Sequence, residues 1–117
     1  MSPSGPYKLV TVNTAPDRAR RLIGRIVEAV KDKYTIIHAA NVDNEEDVPA
    51  VVKAVQPDVL FTASMWSPEQ SQRIRDGAQE IVPGLRTYAL PQGLQVDKGP
   101  DAVVEHILEK LPSIIEG

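Results

Sequence analysis

The chain reads as an α/β domain, a single three-layer sandwich with a four-stranded parallel sheet in the order 2-1-3-4 and two helices on each face. Three observations predict this. Short apolar runs of strand length alternate with longer segments of helical period, giving βαβαβαβα. Each helical segment carries a proline in its first turn (Pro16, Pro49, Pro68, Pro100), where a missing N–H does no harm. Crossovers between parallel strands are right-handed almost without exception, so this alternation folds into a parallel sheet covered on both faces. The order 2-1-3-4 places the two most apolar strands in the middle.

The Ser-Pro-Gly-Pro-rich residues 1–6 read as a flexible N-terminal tail, and residues 7–117 as one domain. Tyr7 to Val12 is the first strand. Thr14 is expected to cap the first helix, with Asp17 completing a capping box. Ala19, Leu22, Ile23, Ile26, Val27 and Val30 give that helix one apolar face, and Lys31 to Lys33 close it with cations. Tyr34 to Ala40 is the second strand, and Asn41 to Glu46 an acidic loop. Asp47 is expected to cap a second helix with Val51, Val52 and Val55 inward, ended by Pro57. Val59 to Ala63 is a nearly unbroken apolar run, as a strand buried on both faces requires. Ser67-Pro68-Glu69-Gln70 then starts a third helix with a capping box, running to about Ile81. Gly77 is expected to let this helix approach the sheet closely. Leu85 to Leu90 is an edge strand, and Pro91 to Lys98 is irregular. The last helix starts at Gly99-Pro100-Asp101, turns Val103, Val104, Ile107, Leu108 and Leu111 inward, leaves His106 to solvent, and stops at Pro112.

With 117 residues the chain can bury a core without staples. A formal charge of -3 gives no case for nucleic acid or an anionic membrane as partner. The absence of cysteine excludes disulfides, thiolate catalysis and thiolate-bound metals, and is compatible with the cytoplasmic setting expected for the chain.

In the order 2-1-3-4 the chain leaves the first and third strands in opposite directions. The crevice between their carboxyl ends is the topological switch point, where open α/β sheets bind ligands. Asn13, Thr14 and Arg18 wall it on one side and Ser64, Trp66 and Ser67 on the other, with Gln92 after the fourth strand as a third wall. These groups suit a small polar ligand, with Trp66 stacking on a planar, nucleotide-like ring. Equally, Thr14 and Ser67 can be helix caps only, and Trp66 a loop anchor. Asn13-Thr14 and Trp66 are similar to the ligand-side loops of flavodoxins, which implies a flavodoxin-like or Rossmann-like fold. The glycine of that loop and a fifth strand are absent.

Other chemistries are weakly supported. No Gly-rich phosphate loop follows any strand, and the first turns carry Asp17, Asp47, Glu69 and Asp101, which oppose an anion. Arg18 is the one cation near the crevice. Arg18, Arg21 and Arg25 repeat at helical spacing, with Arg20 alongside. Such a stripe binds phosphates or an acidic partner, or is a solvated face relieved by Glu28 and Asp32. A receiver domain needs an aspartate at the end of the third strand, where this chain has Thr62-Ala63-Ser64. His38 is the only general base near this edge, and its period places it with Tyr34 and Ile36. The sequence identifies no cofactor, and two separated histidines without cysteine predict no metal site. Two further readings stand beside ligand binding. One is a non-catalytic interaction module, a homodimer built on Tyr88, Leu94, Ile114 and Ile115, which have no obvious place within the chain. The other is a small enzyme using His38.

Overall fold

The computed structural model describes residues 3–116. The strands are β1 (Ser4–Val12), β2 (Tyr34–Val42), β3 (Val59–Thr62) and β4 (Arg86–Ala89), and the helices are α1 (Pro16–Val30), α2 (Val48–Val55), α3 (Pro68–Ile81) and α4 (Leu94–Glu116). All neighbouring strands are parallel, in the order β2-β1-β3-β4. This is the sheet that the alternation of apolar runs predicts.

Successive residues of a strand point to opposite faces, so each run feeds two cores. Leu9, Ile36, Val59 and Phe61 meet Leu22, Ile23 and Ile26 of α1 and Val103, Ile107 and Leu111 of α4. Val10, Val12 and Leu60 meet Val48 and Val52 of α2 and Ile74 and Ala78 of α3. All four residues of β3 are buried, which is why Val59 to Thr62 shows no polar alternation.

Several boundaries differ from the sequence reading. β1 begins at Ser4, whose N–H donates to Lys33 O at 2.9 Å, so residues 4–6 of the expected tail are strand. Met1, Ser2 and Gly117 lie outside the described residues. β2 runs on to Val42, because Asn13 N–H donates to Val42 O at 2.9 Å. The cap of α1 is Ala15, with no side-chain bond, so Thr14 does not cap and no box forms with Asp17. Asp47 is at the cap of α2 but also makes no capping bond; Asn44 holds it instead, its Oδ1 accepting from Asp47 N–H at 2.9 Å.

The last third differs most. The segment read as irregular is helical from Leu94, and Gly99, at φ 84° and ψ 177°, breaks α4 before Pro100 restarts it. Pro112 does not stop the helix, which continues to Glu116. Ile115 is buried in the α1–α4 core, and Tyr88, Leu94 and Ile114 pack against it, so all four find a place within the chain. His106 is not left to solvent: its Nε2 lies 2.6 Å from the Tyr88 hydroxyl. Gly77 faces open space rather than the sheet, since an added Cβ would meet nothing within 4 Å.

Candidate functional site

The carboxyl ends of β1 and β3 form the expected crevice, and much of its polar wall is occupied by the chain itself. Asn13 is only 6% exposed. Its Oδ1 accepts from Ala15 N–H at 2.7 Å and its carbonyl accepts from Asn41 Nδ2 at 3.0 Å. An Asx turn thus does for α1 what Thr14 was expected to do. Ser64, also 6% exposed, receives Gly93 N–H on its carbonyl at 2.9 Å and Gln95 N–H on its Oγ at 3.3 Å. It ties down the start of α4. The Trp66 indole N–H donates to Val12 O at 2.9 Å, and its ring packs against the α2–α3 core. Ser67 forms the capping box with Gln70, its Oγ accepting at 3.2 Å. Among the seven sequence-derived binding residues, this leaves exposed Thr14, exposed Gln92 and half-buried Arg18 with side-chain groups outside such internal bonds.

A polar thread crosses the same edge. Thr11 Oγ1 donates to Asn41 Oδ1 at 2.7 Å and lies 2.8 Å from His38 Nε2. His38 is half-buried on the face shared with Tyr34 and Ile36. Burial pushes its pKa below the ordinary imidazole range, and the charge of Arg20 lowers it further. The Thr11 hydroxyl beside it is already bonded to Asn41. Beneath Thr11 and Asn13 lies an apolar cavity of about 20 Å³, closed by Leu22, Phe61, Ala63 and Ile107. It has room for roughly one water molecule and no more.

Among the described residues, shallow concavities of about 740 and 470 Å³ lie along α3 and beside β4, and a smaller groove lies nearer the crevice, between α1 and the start of α4. It measures about 230 Å³ and is lined by Arg18, Arg21, Leu22, Arg25, Gln95 and Pro100. Helical spacing brings the arginines together, since residues three and four apart share a face. Arg25 pairs with Asp101 at 2.9 Å and Arg20 with Asp17 at 3.4 Å. Arg18 and Arg21 form no ion pair among the described residues. Gln95 Oε1 is buried without a hydrogen-bond partner among the described residues, an unusual condition for a polar atom. The sequence placed Arg18 at the crevice and Arg21 and Arg25 with it in a basic stripe, but did not join them to Gln95 in one groove. The repeat of Arg21 and Arg25 was the available signal, whereas Gln95 stood in a segment with no helical period.

Among the described residues, no three His, Cys, Asp or Glu side chains gather where they could hold a metal ion. Among the same residues, no helix is long and apolar enough to cross a membrane.

No protein-family model matches the chain, and no curated protein matches it. Among solved structures it is similar to the signal receiver domain of the response regulator NarL from Mycobacterium tuberculosis. The likeness has 12% sequence identity and a TM-score of 0.49, over 91% of this chain and 96% of that one.

Proposed function

We propose that the protein is a small-molecule-binding domain of the doubly wound class. It holds a small polar ligand on the carboxyl side of the sheet, in the groove between α1 and the start of α4. The observation that carries this reading is that groove, about 230 Å³ in size, where the half-buried Arg18 faces the same space as Gln95. Doubly wound sheets place ligands outside the carboxyl ends of their strands, and Arg18 lies in the first turn of α1, the helix that follows β1. Thr14 and Gln92 lie on loops at the same edge, outside the residues that line the groove. The absence of cysteine is compatible with a cytoplasmic setting.

A thermal-shift screen against small polar metabolites tests the reading. A compound of the right class raises the melting temperature of the parent protein, and Arg18→Ala removes that rise while the variant keeps its circular dichroism spectrum. A rise that survives Arg18→Ala undiminished would place the ligand elsewhere and end the reading.

One observation favours a second reading, an assembly module. β2 is a nine-residue strand at the edge of the sheet, and Ile37 on it is 47% exposed. Long edges of this kind pair with other chains unless protected. Sedimentation that finds only monomer at high concentration would count against it.

A further inference from the structure

We propose that the ligand of the α1–α4 groove is a small phosphate monoester bearing a hydroxyl group, with its phosphate held by Arg18 and Arg21 and its hydroxyl donated to Gln95. The inference rests on the ligand-binding reading above and names the chemical class.

Three features of the groove carry it. The first is uncompensated positive charge within a net negative chain. Among the described residues, Arg25 alone of the three arginines that line the groove is paired, to Asp101 at 2.9 Å. Asp101 of α4 is engaged in that pair, and Asp17 pairs with Arg20 at 3.4 Å. Arg18 and Arg21 are thus the cations left to an incoming anion. The second feature is stoichiometry of donors. A guanidinium presents a planar fork, and one fork satisfies a carboxylate. Two forks three residues apart suit a group with three terminal oxygens and up to two negative charges, which is a phosphate monoester. The third feature is the buried Gln95 Oε1, which lacks a donor. The P–OH of free phosphate or a hydroxyl on the organic part of an ester can supply that donor. The ester supplies it from a separate group and leaves all three terminal phosphate oxygens to the two arginine forks. The groove volume of about 230 Å³ is below the usual range for drug-sized ligands, so the organic part is small, of the order of a sugar.

Binding follows this order. The exposed Arg21 and half-buried Arg18 draw the phosphate in. Leu22 and Pro100 form the apolar part of the wall. The Gln95 side chain then turns its buried Oε1 out to the hydroxyl, while the backbone N–H bond to Ser64 Oγ at 3.3 Å holds the main chain in place.

Calorimetric titration with ribose 5-phosphate, ribose and inorganic phosphate tests this, with amide chemical shifts recorded in parallel. Ribose 5-phosphate should bind and shift the amides of residues 18–25 and 95–101. Inorganic phosphate should bind more weakly at the same amides, and ribose should not bind. Arg21→Gln, at an exposed position, should weaken ribose 5-phosphate by about tenfold or more, in the manner of a lost charge-assisted bond. Gln95→Leu should bring the affinity of ribose 5-phosphate down towards that of inorganic phosphate. Ribose binding as tightly as its phosphate would overturn the inference while leaving a neutral-ligand site in the groove. Absence of any shift at these amides with ribose 5-phosphate, or an Arg21→Gln affinity equal to the parent's, would also overturn it. The metabolite screen with Arg18→Ala would then decide separately whether the groove binds anything.

Discussion

His38 illustrates how single residues at this edge are held. The Thr11 hydroxyl has one hydrogen and gives it to Asn41 Oδ1, so the hydrogen between Thr11 and His38 belongs to His38 Nε2. Burial and the Arg20 charge disfavour a second proton on the ring. In the unfolded chain the imidazole keeps its ordinary value of 6.5. Below that pH the unfolded state takes up the proton more readily than the folded one, so this contribution to stability is complete above 6.5 and is lost as pH falls towards the lower folded value. Urea unfolding between neutral and mildly acid pH checks this. His38→Gln, which keeps a neutral donor towards Thr11, should flatten the acid fall relative to the parent; an unchanged fall would assign it to other groups. At this scale the sequence was only partly legible. That Asn13, Ser64 and Trp66 lie at the switch point follows from strand and helix boundaries. That their polar atoms close on Ala15, Gln95 and Val12 depends on side-chain reach across loops, which no local pattern encodes.

The helices separate what capping rules decide from what tertiary contact decides. Ser67-Pro68-Glu69-Gln70 predicts a capping box, and the box is present with both bonds made. Thr14-Ala15-Pro16-Asp17 has a similar look, yet Asn13 accepts from Ala15 N–H and leaves the Thr14 hydroxyl without a capping role. Ser67→Ala should therefore cost about 1 kcal/mol of stability, while Thr14→Ala should cost little, as measured by chemical denaturation. Equal losses would mean that both helix starts depend on side-chain caps. Pro112 was misleading for a related reason. A proline inside a helix removes a hydrogen bond, but α4 continues because Leu111 and Ile115 on either side are both buried in the α1–α4 core. The break falls at Gly99 instead, whose positive φ glycine adopts without steric strain.

For the whole molecule, the order β2-β1-β3-β4 was readable because it rests on robust rules. Apolar runs mark central strands, and crossover handedness then leaves few arrangements. The place of the C-terminal residues was not readable, because Ile114 and Ile115 follow a helix-breaking signal and only the folded α4 brings them under α1. Ile115 belongs to the chain's own core at 3% exposure, so Ile115→Ala should lower unfolding stability by about 2–5 kcal/mol rather than alter a monomer–dimer balance. Denaturant titration run at two protein concentrations distinguishes these, since only a dimer would show a midpoint that moves with concentration. The central claim remains that the groove beside Arg18 holds a small ligand. Native mass spectrometry of the protein purified from its expression host tests it most directly. A small adduct should be present, lost on denaturation and absent from Arg18→Ala. A clean dimer with no adduct, unchanged by Arg18→Ala, would contradict it.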